Sequence, residues 1–466
     1  MAALAYDPIG QGERRQLLDD KGLPTITSST SEHTMVGIGA LLVGRGTASY
    51  RVRDGIRSID YLASRPEIDA RRLGCSGCSG GGTLTSYLMA LDDRIAVAAP
   101  SCHITSLEQL FATIGPQDAE QNITGQVAFG MEHADYLAMR APRPTLICSA
   151  RRDFFDSQGT WTSFHEAKHI YGLIGYSERV DLVESDSGHG FPRTQREAML
   201  RWMRRWLLKI DDAPTEGEIA IAKDADLLCT RTGQVLEDFK GKSVFGLNAE
   251  REAELTKGRR KGRDRGELLK EVARLAGVRL PVAAAKMTEV GEVKREGYRI
   301  RKLIFEPEPG VPVPGLLFDG GRGPLVIYAD GAGKSAAAAP GGPIEKLVKS
   351  GSRVLTLDLR GMGETAPSRV PAGRANYFGA DSWEAFVSLH LSRPLLGQRT
   401  TGLLAVVAKM GGESNDIQLI GVGSAGPATL HAAALEPRIK RLTLEDTLVS
   451  WSSVARTPIS HDQPTN

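Results

Sequence analysis

Residues 72–91 read RLGCSGCSGGGTLTSYLMAL. The run from Arg72 to Cys75 predicts a short buried strand, and Leu84 to Leu91 predicts a helix. Between them, Gly77, Cys78, Ser79, Gly80 and Gly81 fit the pattern GxSxG. A serine held on so sharp a strand-to-helix turn is expected to need glycines two residues to either side, because side chains there would meet the neighbouring strand and helix. The turn exposes the hydroxyl. It also sets the amide of Gly80 at a helix N-terminus, where an oxyanion can be stabilised. Ser79 is therefore the predicted nucleophile and Gly80 the predicted oxyanion donor.

A serine hydroxyl reacts at neutral pH only when an imidazole takes its proton and a carboxylate orients that imidazole. On a parallel sheet carrying such a turn, the expected chain order is Ser, acid, His, with both partners in loops after late strands. Asp153 follows the predicted strand Thr145 to Ser149, and His189 lies in SDSGHGF after Val180 to Glu184. These are the predicted acid and base, with Asp156 as the alternative acid. His165 and His169 have the i, i+4 spacing of a metal pair, but no third ligand is indicated, and they read as one face of a helix. His33 shows no catalytic spacing, whereas His103 follows the strand Ile95 to Ala99 and could line a cleft.

Around these motifs, residues 1–210 alternate short apolar runs with amphipathic segments, the pattern of a parallel sheet with flanking helices. Ala2 to Tyr6, Arg72 to Cys75, Ile95 to Ala99, Thr145 to Ser149 and Val180 to Glu184 are the expected strands. Tyr50 to Ser64 and Thr194 to Lys209 are expected helices. Residues 211–285 break the pattern and read as a partly helical connector with a hairpin near Cys229 to Glu237. Alternation resumes in 286–466, with strands expected at Tyr298 to Phe305, Val313 to Phe318, Leu325 to Ala329, Arg353 to Leu357 and Ile417 to Gly421.

The two α/β regions share a repeat. DPIGQGE (7–13) matches DLRGMGE (358–364), and ALDDRI (90–95) matches ALEPRI (434–439). In the second register Gly77 faces Gly421, Ser79 faces Gly423 and Gly81 faces Ala425. The second region thus has glycine at the nucleophile position. Ser424, with Asp446 and His461, is an alternative there, but its flanking residue is Val422 rather than glycine.

The run DGIRSIDYLASRPEIDARRLGCSGCSGGG, together with RPTLICSARRDFFD and SGHGF, resembles the acetyl xylan esterase, dienelactone hydrolase and prolyl oligopeptidase-like branch of the α/β-hydrolases. The resemblance covers most of residues 1–210 and, more weakly, 297–450. It implies an α/β-hydrolase parallel sheet followed by a second, degenerate hydrolase-like α/β unit, with the family's triad falling on Ser79, Asp153 and His189. It implies acyl transfer to water: a carboxylic ester hydrolase acting on a small-molecule or carbohydrate ester, with a peptidase or an idle scaffold as alternatives. The strands and loop that precede DxxGxG in the family are expected to be missing from 1–210, and the second region to be incomplete at its C-terminal end. The DGAG loop, Asp330 to Gly333, matches the family's second oxyanion loop.

Composition narrows the remaining classes. A net charge of +2 with no concentrated basic face beyond KGRRKGRDR (257–265) argues against a nucleic-acid partner. No apolar run approaches membrane-spanning length, and Met1 to Gly10 lacks the regions of a signal peptide. Five cysteines are too few and too scattered for a disulfide framework. Cys75 and Cys78 form one CxxC without a second, so they read as small buried fillers; no metal and no cofactor is expected.

Overall fold

The computed structural model describes residues 2–259, 264–368, 378–412 and 416–459. The chain forms two compact units, Met1–Arg251 and Glu252–Asn466.

In the first unit, β1 (Leu73–Cys78), β2 (Ile95–Ser101), β3 (Thr145–Arg152) and β4 (Val180–Gly188) form an all-parallel sheet in that order among the described residues. β2 (IAVAAPS) and the first half of β3 (TLIC) are buried along their length because both faces are covered. Ile95, Ala98 and Ile147 pack on one face with Leu84, Leu88, Phe164 and Tyr171. Val97, Ala99, Leu146 and Cys148 pack on the other with Trp202 and Met203. Alternate residues of one strand thus feed two separate cores, as a sheet with period-two side chains requires. Helices α1 (Ser29–Leu42), α2 (Thr47–Ser64) and α3 (Gly80–Leu91) precede or follow β1.

Three expectations fail in this unit. Ala2 to Tyr6 forms no strand. The hairpin near Cys229 to Glu237 is a turn followed by the short helix Val235–Asp238. The boundary expected at residue 210 falls inside the unit, because 211–251 is tied back to it. The buried Glu13 carboxylate accepts from the amides of Cys229 (2.8 Å) and Thr230 (2.9 Å), while Asn248 accepts from the Tyr50 hydroxyl (2.9 Å) and donates to the Val36 carbonyl (3.2 Å). A carboxylate this deeply buried needs such donors, and the returning segment supplies them.

The second unit holds a seven-stranded sheet among the described residues. Its strands are β5 (Lys286–Arg295), β6 (Tyr298–Glu308), β7 (Val311–Asp319), β8 (Leu325–Asp330), β9 (Arg353–Leu357), β10 (Ile417–Val422) and β11 (Ile439–Glu445), in the order β11-β10-β8-β9-β7-β6-β5. The first three are antiparallel neighbours; β8 to β11 run parallel. Helix Arg265–Ala276, expected in the connector, packs Ala273 and Ala276 into this unit's core.

The repeat reappears as backbone geometry. Leu73 pairs with Ile95 and, after a register shift, Gly74 with Val97; Ile417 pairs with Ile439 and, after the same shift, Gln418 with Arg441. Asp7 accepts from the Glu13 amide at 2.8 Å, and Asp358 from the Glu364 amide at 3.0 Å. Among the described residues, no helix is long and apolar enough to cross a membrane. Part of the basic run 257–265 lies outside the described residues.

Candidate active site

Ser79 stands between β1 and α3 with φ 58° and ψ −120°. This backbone region disfavours every residue with a Cβ, at a cost of about 1–3 kcal/mol, and a strained serine at a strand-to-helix turn is an observation that points to function. The turn is clamped by its neighbours. The Ser79 amide donates to the Ser101 carbonyl at 3.0 Å, and the Thr83 amide donates to the Ser79 carbonyl at 2.9 Å.

The glycine requirement is not symmetrical, contrary to expectation. A Cβ at Gly77 would lie 2.6 Å from the Gly81 carbonyl oxygen, and one at Gly82 would lie 2.2 Å from the Ser101 carbonyl oxygen, whereas one at Gly81 meets nothing within 4 Å. The reason is the direction of α3. Its first turn leans Gly82 onto the end of β2 and leaves Gly81 facing open space.

Asp153 and His189 each follow the last residue of a strand, β3 and β4 respectively, so Ser79, Asp153 and His189 share the C-terminal end of one sheet. His189 Nδ1 lies 2.8 Å from Asp153 Oδ1. The Asp153 side chain is 1% exposed and that of His189 26%, an arrangement with the acid beneath and the imidazole accessible. Burial raises the Asp153 carboxyl, but bonds from His189, Cys102 and the Phe155 amide outweigh it and hold its pKa low. The same Asp153 bond, helped by Cys102, lifts His189 to about 9 despite partial burial. The imidazole also stacks on Phe154, ring centroids 4.2 Å apart. Ser79 Oγ makes no hydrogen bond among the described residues.

Asp156, the alternative acid, is engaged elsewhere. It caps helix Ser157–Leu173 by accepting from the Gly159 amide at 2.8 Å. His165 and His169 lie on an exposed face of that helix. His103 is buried against Thr83 Oγ1 (3.1 Å), where burial and His133 press its pKa well below the ordinary value.

Gly80 opens α3, where the first amides lack intrahelical partners. Behind it sits a buried ion cluster that the sequence did not reveal. Arg51 of α2 pairs with Glu120, and His33 of α1 lies 3.3 Å from Glu120 and 3.6 Å from Asp118. Burial opposes the charge on His33, but the two carboxylates outweigh it and raise its pKa to about 9. A Cβ built on Gly80 would lie 3.5 Å from Arg51 Nη2, so this charge network lies directly against the Gly80 turn.

Two thiols border the triad positions. Cys102 follows β2 with φ 48° and donates to the Gly190 carbonyl at 3.2 Å, its Sγ lying within 4.8 Å of ligand atoms of Asp153 and His189. Cys78 is half-buried, and the neighbouring Cys102 lowers its pKa to about 7, so the filler reading fails for it. Cys75 fits that reading better: it donates to Thr85 Oγ1 at 3.6 Å, and burial pushes its thiol up. A signal for Cys102 existed in the sequence: it directly follows the strand beside the nucleophile strand.

In the second unit, Gly423 occupies the turn with φ 58°. Ser424 packs on the start of the DGAG loop, its Oγ 2.3 Å from where a Gly331 Cβ would be. Asp446 follows β11 with φ 47°, and His461 lies outside the described residues.

No family model matches the chain. It is 26% identical over 172 residues to a Bacillus subtilis protein named as a hydrolase, YtaP, covering 36% of this chain and 56% of that one. It is 27% identical over 195 residues to the 4-O-methyl-glucuronoyl methylesterase of Neurospora crassa, covering 36% and 49%. The chain thus spans about half the length of the curated relatives it matches. Among solved structures it is similar to a carbohydrate esterase family 15 glucuronoyl esterase from Caldicellulosiruptor kristjansonii (19% identity, 39% of this chain and 56% of that one, TM-score 0.30). It is also similar to the glucuronoyl esterase catalytic domain of Hypocrea jecorina (19%, 36% and 54%, TM-score 0.31). Over about a third of its length the chain thus resembles proteins named as a hydrolase and a methylesterase.

Proposed function

We propose that the first unit is a serine carboxylic ester hydrolase working through an acyl-enzyme on esters of polysaccharides. Ser79 attacks the ester carbonyl, His189 takes the hydroxyl proton and returns it to the leaving alcohol, and Asp153 holds the imidazole in the right tautomer. The Gly80 amide stabilises the oxyanion. Water then attacks the acyl-enzyme by the same proton relay. The observation that carries this reading is the 2.8 Å Asp153–His189 contact on the strand ends that also present the strained Ser79. The resemblance to a glucuronoyl methylesterase supports uronoyl methyl esters as the substrates to try first.

The second unit, in this reading, is a degenerate hydrolase-like domain whose turn has lost its nucleophile. Fluorophosphonate labelling followed by peptide mapping tests both assignments. Label is expected on Ser79, absent from Ser79→Ala and unchanged in Ser424→Ala. Label on Ser424, or none on the intact chain, would overturn the reading. A panel of acetyl esters, uronoyl methyl esters and peptide amides should then show turnover of esters and not of amides.

A further inference from the structure

The Cys102 thiol beside the triad positions serves neither nucleophile nor oxyanion, yet it completes a set of donors. One ligand atom from each of Cys102, Asp153 and His189 lies within 4.8 Å of the others. We infer that this cluster is an inhibitory site for a thiophilic divalent cation of the Zn2+ class, held by Cys102 Sγ, Asp153 Oδ1 and His189 Nδ1 with water as the fourth ligand.

Tetrahedral Zn2+ takes sulfur at about 2.3 Å and nitrogen or carboxylate oxygen at about 2.0–2.2 Å, which puts neighbouring donors roughly 3–4 Å apart. To meet that, the 2.8 Å contact between His189 Nδ1 and Asp153 Oδ1 opens slightly, and the Cys102 thiol, within 4.8 Å of both, moves in. Mixed thiolate, imidazole and carboxylate donors select Zn2+ over the oxygen-seeking Mg2+ and Ca2+. The strands fix all three donors from different points on one sheet end: Cys102 follows β2, Asp153 follows β3 and His189 follows β4.

Binding has a defined chemical consequence. The ion replaces the proton shared by His189 Nδ1 and Asp153 Oδ1, and the Cys102 thiol releases its proton to solvent. The neutral imidazole then carries its single proton on Nε2, so its remaining lone pair is spent on the metal. Nothing is left to accept the Ser79 proton. This inhibition rests on the proposed hydrolase reading; the metal site itself does not.

Co2+ titration of the Ser79→Ala chain tests the site without any turnover. The expected spectrum has the intense visible bands of a tetrahedral ion and a near-ultraviolet thiolate charge-transfer band. That band should be lost in a Cys102→Ser background and kept in Cys78→Ser. Weak bands of octahedral Co2+, or a spectrum unchanged by Cys102→Ser in a chain whose melting curve remains cooperative, would overturn the site. On the active chain, micromolar Zn2+ should lower ester turnover at least tenfold, reversibly by chelator, while millimolar Mg2+ or Ca2+ has no effect. Relative to its own metal-free rate, Cys102→Ser should need at least tenfold more Zn2+. A tetrahedral Co2+ site with full turnover in Zn2+ would overturn the inhibitory role.

Discussion

The two strand-to-helix turns, Gly77–Gly82 and Gly421–Gly426, share a left-handed position and fill it with different residues. The left-handed position has φ 58° in both, as Ser79 in one and Gly423 in the other. The residue after the neighbouring strand is also left-handed in both, Cys102 at φ 48° and Asp446 at φ 47°. Gly82 and Gly426 each press on the segment beyond that strand, where a Cβ would lie 2.2 Å from the Ser101 carbonyl oxygen and 2.0 Å from Thr447 Oγ1. The scaffold therefore dictates the unusual conformation, and only chemistry gives a reason to place a side chain in it. Where a serine tolerates the strain, an Asp–His pair lies on the same sheet end. Where glycine relieves it, the neighbouring serine is packed against a loop.

The largest effect that this contrast predicts comes from separating the two acidic residues near His189. Asp153→Asn keeps the size but favours the wrong imidazole tautomer, and a loss of about 10⁴-fold in kcat is expected. Asp156→Ala removes a helix cap, so it should cost about 0.5–2 kcal/mol of stability and leave kcat within a few-fold. Steady-state ester hydrolysis with denaturant melts of both variants measures this. Equal losses of activity would mean that the 2.8 Å contact is not what distinguishes the two carboxylates.

Much of this arrangement was legible because turn chemistry is local. GxSxG, the Asp after TLICSARR and the His in SDSGHG each lie within a few residues of an apolar strand whose end fixes their position. What escaped reading depended on partners far away in the chain. Ala2 to Tyr6 looks like a strand but pairs with none. Helix α1 was missed because Gly37 and Gly39 dilute its helical pattern, yet Gly37 permits close contact with Ala119, where a Cβ would sit 2.4 Å away. Strand β5 (KMTEVGEVKR) escaped because it is a charged edge strand with few buried residues. The return of 211–251 to the first unit depends on Glu13, more than two hundred residues earlier.

The charge networks of the two units should respond to different pH windows. In the first unit, His33 has a folded pKa of about 9, above its ordinary value near 6.5. A raised pKa means that its contribution to stability is complete below about 6.5 and is lost as pH rises through about 9. In the second, Lys334 lies against Asp358 and Glu364. Burial opposes its charge, but these carboxylates prevail and raise its pKa above the ordinary 10.5. Raising pH from 6.5 to 9 should therefore weaken the first unit selectively. Urea unfolding monitored by pulse proteolysis, with fragments assigned to each unit, should show only the first unit's midpoint falling. His33→Gln should start lower and lose its share of that slope, leaving the share of His189, whose pKa is likewise raised to about 9. Parallel decline of both units in this window would remove His33 as the cause.

The smallest effect isolates the strain itself. Ser79→Ala and Ser79→Gly both delete the hydroxyl, so both should abolish hydrolysis, but they differ at the backbone. Alanine keeps a Cβ at φ 58°, whereas glycine relieves a penalty of about 1–3 kcal/mol. Glycine also frees the unfolded chain, which costs roughly 0.5–1 kcal/mol relative to alanine. The first unit of Ser79→Gly should therefore be more stable than that of Ser79→Ala by about 1 kcal/mol. The mirror substitution, Gly423→Ser, should destabilise the second unit by a similar amount, since its turn has the same φ. Denaturant midpoints of the three variants measure the difference. If Gly423→Ser proved neutral while Ser79→Gly stabilised, the strain would belong to the surroundings of Ser79 and not to the shared turn, and the likeness between the two turns would be geometric without being energetic.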